Sequence, residues 1–341
     1  MSRSLRRVLY WIAIVVLAGA LLYASLRGIE WQQVWLAMQR AEPGRFALSC
    51  GFTTLSLFLR AVRWRLLLQA AARLPVRMVF WATAAGYFGN NFLPARAGEF
   101  LRTLMISRQT GLSKSFVLTT ALSERISDAI SLVLISSLIL SRMRIKPGWF
   151  AHAATPFTLL GLAGVLGIAL LPKLERRSRG LLLRLPVSES WLNRLDGVAD
   201  QIMAAMRTFH DARRLLLFLA LTAVIWFSDA FATILGLEAL ALPATLPIAF
   251  LLITGLALGS ALPSTPGYVG IYQFVAVSVL IPFGFTKAEA IAYILLSQAV
   301  QYVLIGFWGA WGLLHARAVK HVPDAAKTEG ELPGSRGGSL G

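Results

Sequence analysis

The chain has 341 residues, of which 57% are hydrophobic and only 14% charged, and its mean hydropathy is +0.66. A soluble domain carries about a quarter charged residues, so this composition excludes a soluble globular protein and predicts an integral membrane protein. The net charge of +17 does not indicate a nucleic-acid partner, because the basic residues lie between apolar segments, where topology and lipid headgroups account for them.

Apolar runs long enough to cross a bilayer follow one another along the chain. The first, residues 8–26, has no charged residue, and as a helix it is long enough to cross about 30 Å of hydrocarbon. This run exceeds the apolar core of a cleavable signal peptide, so we interpret it as a retained helix. Membrane segments are predicted at 8–26, 46–68, 78–94, 115–141, 150–171, 215–236, 246–262, 267–285 and 288–314.

Three other stretches do not have the character of a span. Residues 31–41 are short and amphipathic, which predicts a helix lying at the membrane interface. Residues 173–214 are basic and amphipathic, and we expect them to form the largest extramembrane element, on the cytoplasmic side. Residues 322–341 are rich in Pro, Gly and Ser, which is typical of a disordered tail. The remainder, 1–321, is predicted to be a single transmembrane domain.

Basic residues predict the orientation in the membrane. Most of the 33 Lys and Arg residues lie on one side if the N-terminus, the loops 60–77, 96–114 and 173–214 and the C-terminal end all face the cytoplasm. This arrangement requires 78–94 to enter and leave the membrane on the same side. The pattern therefore predicts cytoplasmic termini and a re-entrant segment at 78–94.

Two apolar segments end with the same pattern of helix-breaking residues. Residues 86–98 and 255–267 each contain Leu-Pro-x-x-x-Gly after a glycine at a matching offset. Proline removes a helix hydrogen bond, and the freed backbone groups are tolerated at membrane depth only inside protein or beside a water-filled cavity. Three predicted spans between them place the two breaks on opposite sides, as in an inverted repeat with a transport site at its interface. The predicted breaks are Pro94, Gly98, Pro263, Pro266 and Gly267; two unrelated kinks are the alternative.

The predicted fold is therefore an all-α polytopic membrane protein with about six spanning helices and two re-entrant or broken elements. The four histidines share no metal-ligand spacing, and the chain contains no nucleotide-binding or hydrolase motif. We predict no metal, no cofactor and no catalytic residue.

Arginines lie near the first break and at the end of the second segment. Arg60 and Arg63 share a helical face at i, i+3, and Arg96 and Arg102 follow the break. A guanidinium binds phosphate bidentately, so these arginines are predicted to hold a lipid headgroup. The alternatives are snorkelling at the interface for the first pair and a surface salt bridge for the second.

Carboxylates accompany these arginines. Glu99 is predicted to pair with Arg102 at i, i+3, and Arg125 with Asp128 at the same spacing. Because ionisable residues at membrane depth usually face a cavity or each other, Glu124, Arg125 and Asp128 are expected to form a polar network inside the bundle. The alternative is that this turn lies at the cytoplasmic interface.

Further polar residues complete the predicted site. Asp229 is a lone carboxylate in an apolar helix, where a role in proton or cation coupling and a structural hydrogen bond are both open. Asn90 and Asn91 offer amides beside the first break, and Tyr268, Tyr272 and Gln273 follow the second. We expect these residues to line the same cavity.

Four motifs in this order carry a resemblance to a known family. They are FLRAVRWRLLL (58–68), GYFGNNFLPARAGEFLR (86–102), SERISD (123–128) and ALPSTPGYVGIYQ (261–273). Together they resemble the membrane domain of bacterial lysylphosphatidylglycerol synthase/flippase proteins and the stand-alone flippase-like proteins related to it, over roughly 8–316. The resemblance implies movement of a lipid between leaflets of the bacterial inner membrane. It does not carry over lipid aminoacylation, because the aminoacyl-transfer domain has no counterpart in these residues.

Three functions remain open at this point. The first is a lipid translocase for a phosphate-bearing or otherwise polar headgroup, with membrane lipids as its partners. The second is a membrane-embedded lipid-modifying enzyme that uses Glu99, Glu124 or Asp128 as a general base. The third is an assembly partner of an envelope-lipid pathway, such as a hopanoid or isoprenoid-linked one. A homodimer or a complex with a lipid-pathway enzyme is compatible with each.

Overall fold

A computed structural model describes residues 3–93, 97–143, 211–261 and 265–318, with the isolated residues 159 and 163. Within these ranges the regular structure is helical and contains no strand. The helices are α1 (Arg3–Leu26), α2 (Trp31–Gln39), α3 (Pro43–Leu68), α4 (Val76–Phe92), α5 (Gly98–Thr110), α6 (Lys114–Arg142), α7 (Ala212–Ala239), α8 (Leu246–Ala261), α9 (Ile271–Leu280) and α10 (Lys287–Ala318). The predicted tail at 322–341, and the segments 150–171 and 173–214 apart from residues 159, 163 and 211–214, lie outside them.

Length and hydropathy single out three candidate spans among the described residues. They are Ala212–Ala239, Pro266–Phe283 and Lys287–His315, and Ile14–Leu26 of α1 together with Trp31–Gln39 qualifies as a pair bent by 81°. Helices α3 and α6 have 26 and 29 residues, which is long enough, but their charged residues lower their hydropathy. The all-helical class agrees with the sequence, whereas the count of six spans and the cytoplasmic termini stay predictions.

Helix α2 forms where the amphipathic segment at 31–41 was predicted. Val34 is buried, while its neighbours on the helix surface, Trp31 and Trp35, are exposed. This distribution is the one expected of a helix whose apolar face is shared between the protein and its surroundings. Its position at the membrane interface stays a prediction.

Helices α4 and α5 form an antiparallel hairpin. A β-carbon on Gly89 would lie 2.7 Å from Cα of Gly98, and one on Gly86 would lie 3.0 Å from the Arg102 side chain. The backbone amide of Gly98 donates to Oδ1 of Asn90 at 3.1 Å, which holds the turn closed. The chain thus reverses after the predicted break, in the shape expected of a re-entrant segment.

Helices α8 and α9 form a second hairpin with the same use of glycine. A β-carbon on Gly259 would lie 2.9 Å from the side chain of Ile271, and one on Gly255 would lie 2.8 Å from Val275. Each Leu-Pro-x-x-x-Gly segment therefore falls, in sequence, at the junction of the two helices of a hairpin; residues 94–96 and 262–264 lie outside the described residues.

The tip of the second hairpin is tied to α10. Pro266 begins a short 3-10 turn, and Gly267 has φ of 72°, a left-handed conformation that favours glycine. The carbonyl oxygen of Gly267 accepts hydrogen bonds from Nε2 of Gln298 at 3.0 Å and from the hydroxyl of Tyr302 at 2.6 Å. These bonds satisfy the backbone where the helix is broken.

Helix α10 also packs against the first hairpin. Gly306, Gly309 and Gly312 recur every third residue, and β-carbons on the last two would press on the carbonyl oxygens of Ala84 and Trp81 of α4, at 3.0 and 2.8 Å. Small residues let two helix backbones approach closely. Because α10 contacts both hairpins, it fixes the distance between them and so defines the space that they enclose with α3 and α7.

Replacing Gly98 tests the hairpin. The Gly98→Ala variant should lose about 1–3 kcal/mol of stability, because its methyl group collides with the carbonyl oxygen of Gly86 and with Asn90. Thermal unfolding of the detergent-solubilised protein measures this loss. Gly51→Ala is the control: nothing lies within 4 Å of that position, and alanine favours a helix. An equal melting temperature for both variants contradicts the hairpin contact.

Candidate functional site

Eight charged side chains from four helices form one continuous path in which the sign of the charge alternates. In order along the path they are Asp229, Arg60, Asp128, Arg63, Glu124, Arg102, Glu99 and Arg125, and each neighbouring pair is a salt bridge. We name this set the charge chain. With four arginines and four carboxylates, it has no net charge.

Arg63 lies at the centre of the charge chain and is fully buried. Its two terminal nitrogens donate to the two oxygens of Asp128 at 2.6 and 2.9 Å. They also donate to Glu124 at 3.0 Å and to the hydroxyl of Thr222 at 3.0 Å. This bidentate arrangement is the strongest form of guanidinium–carboxylate pair, and it joins α3, α6 and α7.

Arg102 anchors the first hairpin to α6. Its guanidinium donates to Glu99 at 2.6 Å, to Glu124 at 2.9 Å and to the carbonyl oxygen of Ala121 at 3.3 Å. It also lies 4.5 Å above the ring of Trp64, a cation–π contact. These partners leave Arg102 only 1% exposed.

The two ends of the charge chain are more open than its centre. Arg60 donates to Asp229 at 2.6 Å and to Asp128 at 3.3 Å, and Arg125 donates to Glu99 at 2.9 Å and to the hydroxyl of Tyr87 at 3.2 Å. The side chains of Asp229 and Arg125 are 22% and 28% exposed, against 0% for Arg63. The centre therefore holds the helices together, while the ends remain accessible.

Both ends of the charge chain line the same cavity, whose volume is about 260 Å³. Its walls come from α3, α4, α6, α7, α8, α9 and α10 and from the turn before α9. Arg60, Arg125 and Asp229 are its charged residues. Polar and aromatic side chains supply most of the remainder, among them Ser49, Thr53, Thr54, Ser56, Asn90, Asn91, Thr233, Ser260, Ser297, Gln301, Tyr87, Trp226, Tyr268, Tyr272, Tyr293 and Trp308.

The structure divides the residues predicted to bind a headgroup into two groups. Arg60, Asn90, Asn91, Tyr268 and Tyr272 line the cavity, and the rings of the two tyrosines stack with centroids 4.8 Å apart. The others are placed elsewhere or outside the described residues.

Arg63 and Arg102 lie inside the charge chain, away from the cavity wall. Gln273 caps the start of α9 through the amide of Gly270 at 2.8 Å and donates to Gln298 at 2.6 Å. Arg96 lies outside the described residues.

The pairing of the charges follows the sequence spacing in one case and departs from it in another. Glu99 pairs with Arg102 at i, i+3, as the spacing predicts. Arg125 was expected to pair with Asp128, but it contacts Glu99 of α5 instead. The reason is that Arg63 and Arg60 of α3 occupy the Asp128 oxygens, so Arg125 turns to the hairpin. The charged turn of α6 faces the bundle interior, as the polar-network hypothesis requires.

Sequence reasoning missed a row of hydroxyl groups on α3. Ser49, Thr53 and Ser56 precede Arg60 at i, i+4, i+7 and i+11, so the four side chains follow one face of the helix. This spacing was visible in the sequence. Trp226 and Tyr87 were missed as well, and neither has a spacing that marks it among the aromatic residues of an apolar helix.

The comparison with known proteins identifies the family of the chain. The family described as lysylphosphatidylglycerol synthase TM region matches residues 10–309. The chain belongs to this family. The resemblance carried by the four motifs is thereby confirmed, and the protein is an integral membrane protein of a lipid-related family.

A curated relative is the Glycosyltransferase AglD of Haloferax volcanii, which is 24% identical over an alignment of 373 residues. The alignment covers 98% of this chain and 59% of the relative. The chain thus spans less than two thirds of that protein's length.

Removing one arginine from the centre of the charge chain tests how strongly it holds the fold. Arg63→Met should cost about 3–5 kcal/mol, because it leaves Asp128 and Glu124 buried without this partner. The control is Arg45→Met, since Arg45 pairs with Glu42 and Glu238 at an exposed position and should cost at most about 1 kcal/mol. Thermal unfolding in detergent measures both, and a similar small loss in the two variants rules out a structural role for the buried pair.

Proposed function

We propose that this protein is a flippase-like lipid translocase. It moves a lipid with a phosphate-bearing or otherwise polar headgroup between the leaflets of the bacterial inner membrane, with no catalytic step of its own. The observation that carries the proposal is the cavity of about 260 Å³, which holds both open ends of a charge chain inside an apolar helical protein. A headgroup in this cavity exchanges water for fixed polar partners while its acyl chains remain in the bilayer.

The energetics of lipid movement favour this assignment. The barrier to exchange is the cost of taking a polar group through hydrocarbon without hydrogen bonds. The cavity supplies charged residues, amides and hydroxyl groups at the junction of two hairpins. Discontinuous helices that meet near a polar cavity are typical of transporter binding sites.

The centre of the charge chain supports the same conclusion. Its arginines and carboxylates are already paired, so the protein keeps its fold whether or not the cavity is occupied. Asp229 and Arg125 at the ends have room to change partners because their side chains are partly exposed. An entering headgroup therefore competes for the ends without breaking the Arg63–Asp128 pair.

The name of the relative favours a second candidate, a role in transferring a sugar to a membrane lipid. Mass spectrometry of the lipids of a deletion strain separates the two functions. A missing lipid species supports transfer, whereas an unchanged set of lipids with altered sidedness supports translocation. Co-purification with a lipid-pathway enzyme, together with full function of charge-neutralised variants, instead supports an assembly partner.

Leaflet exchange in liposomes tests the proposal directly. Purified protein should accelerate exchange of a labelled polar lipid over protein-free vesicles. Asp229→Asn should slow it by about tenfold or more. Asp229 competes with the headgroup for Arg60, so a weaker charge-assisted hydrogen bond between the two residues slows the release of a bound headgroup.

The matched control is Asp211→Asn at the start of the same helix. Asp211 caps α7 by accepting from the amide of Arg213, and asparagine caps a helix equally well. Exchange should be unchanged in this variant. Wild-type exchange no faster than that of empty vesicles, for any of the anionic, zwitterionic and neutral lipids tried, would falsify the translocase.

A further inference from the structure

Asp229 differs from the other carboxylates of the charge chain in the number of its cationic partners. Asp128, Glu124 and Glu99 each lie between two arginines of the charge chain. Among the described residues, Asp229 pairs with Arg60 alone, at 2.6 Å. The carboxylate with the fewest cationic neighbours loses the least attraction when a proton neutralises it. Asp229 is therefore the member of the charge chain that accepts a proton at the lowest cost.

Asp229 is also the one carboxylate that lines the cavity in the part of the chain that the structure describes. Its side chain is 22% exposed, against 11% or less for the other three carboxylates of the charge chain. The cavity reaches from Arg60 to Ser49, 11 residues apart on α3, so it follows this helix for about 16 Å. A polar cavity of this size admits water, which can bring a proton to Asp229.

The other titratable groups around Asp229 do not compete for that proton. Helix α7 packs against α3, α6, α8 and α10, and α4 and α9 complete the cavity wall with the turn before α9. Arginine and tyrosine already carry their protons near neutral pH, and Asp128 is held by two arginines. The described groups are Arg60 of α3, Arg125 and Asp128 of α6, Tyr87 of α4, Tyr268 before α9, Tyr272 of α9 and Tyr293 of α10, and α8 contains none.

Arg60 can release Asp229 without losing its position. Its Nη2 atom donates to Asp229 at 2.6 Å, and its Nη1 atom donates to Asp128 at 3.3 Å. The guanidinium also lies 4.7 Å from the centre of the Trp226 ring, a cation–π contact. When Asp229 is neutral, Asp128 and Trp226 still hold Arg60, and Nη2 can donate to an anionic oxygen instead. A headgroup and Asp229 therefore compete for one nitrogen atom.

Charge balance links the arrival of a headgroup to the arrival of a proton. The charge chain contains four arginines and four carboxylates, so it carries no net charge by itself. An anionic headgroup alone would add a negative charge without a counterion inside an apolar bundle, which is costly. One proton on Asp229 cancels that charge. The loaded and the empty site then carry the same net charge.

We propose that this protein moves one proton together with each anionic lipid headgroup, and that Asp229 carries the proton. On one side of the membrane an oxygen of Asp229 takes a proton from water, which forms an O–H bond, and the headgroup replaces it on Arg60. On the other side the headgroup leaves, the O–H bond breaks, the proton returns to water, and the carboxylate pairs with Arg60 again. This inference rests on the proposed translocase function and adds to it an anionic substrate class and an energy source.

A pH gradient across vesicles tests this coupling. Phosphatidylglycerol labelled on the acyl chain is followed as a trace lipid in phosphatidylcholine vesicles with and without the purified protein. Because proton and lipid move together, the label should accumulate in the leaflet that faces the alkaline side, up to about tenfold for a gradient of about one pH unit. This accumulation should exceed that in protein-free vesicles, reverse with the gradient and vanish with a protonophore. A membrane potential set by potassium and valinomycin should not drive it, because the pair carries no net charge.

Three outcomes overturn the proton while the translocase stands. The first is exchange of phosphatidylglycerol that does not respond to the pH gradient. The second is exchange that follows the membrane potential instead. The third is exchange of a neutral lipid, such as glucosyl diacylglycerol, or of a zwitterionic one, without exchange of phosphatidylglycerol. No exchange of any of these lipids removes the translocase, and the proton with it.

Variants of one position assign the proton to Asp229. Asp229→Asn has an amide that neither takes nor releases a proton in this range, so the exchange that remains should not respond to the pH gradient. Asp229→Glu returns a carboxyl group to the position and should regain the response. An unchanged gradient response in Asp229→Asn overturns the inference.

The matched control is Glu238→Gln, which removes a carboxylate from the same helix. Glu238 pairs with Arg45 at 3.4 Å and does not line the cavity. Its variant should accumulate phosphatidylglycerol on the alkaline side to the same extent as the wild type. Loss of the response in Glu238→Gln as complete as in Asp229→Asn contradicts a specific role for the carboxylate at the cavity.

Discussion

The bidentate pair between Arg63 and Asp128 is the interaction on which the rest of the structure depends. A guanidinium with no exposed surface is stable in an apolar bundle only if a carboxylate meets it with good geometry. Asp128 does so with both oxygens. Arg63 lies on α3 and Asp128 on α6. Either helix alone would expose an unpaired charge to the hydrocarbon of the membrane, which is energetically costly. The two charged side chains are therefore buried only when α3 and α6 associate. These charges also account for the moderate hydropathy of both helices.

The remaining ion pairs follow from the first by the same requirement. Glu124 faces Arg63 and therefore needs a second cation on its other oxygen, which Arg102 supplies from the first hairpin. Arg102 in turn needs Glu99, and Glu99 accepts from Arg125. Arginines and carboxylates continue to alternate until a charged residue reaches the cavity. There the side chain is partly exposed, so having fewer ionic partners costs less free energy. The centre of the charge chain thus stabilises the fold, while its two ends are accessible from the cavity.

Local spacing in the sequence was sufficient for part of this arrangement. The Glu99–Arg102 pair and the shared face of Glu124 and Asp128 depend only on helical periodicity, and the hairpin tips depend on proline and glycine. The partners of the α3 arginines could not be found in this way, because they lie more than 60 residues away in the chain. The competition for Asp128, which redirects Arg125 to Glu99, arises only once α3 and α5 pack on α6.

The two hairpins resemble each other in backbone and differ in chemistry. Charged groups hold the tip of the first, where Asn90 donates to Glu99 at 3.3 Å. Neutral amides and a phenol hold the tip of the second, through Gln298 and Tyr302. A twofold repeat of shape therefore does not produce a twofold repeat of charge at the tips, and the charged residues of the cavity wall, Arg60, Arg125 and Asp229, come from α3, α6 and α7 rather than from either hairpin. A headgroup between the hairpins would therefore meet uncharged amide and hydroxyl side chains on both of them, and ion pairs only on the helices beside them.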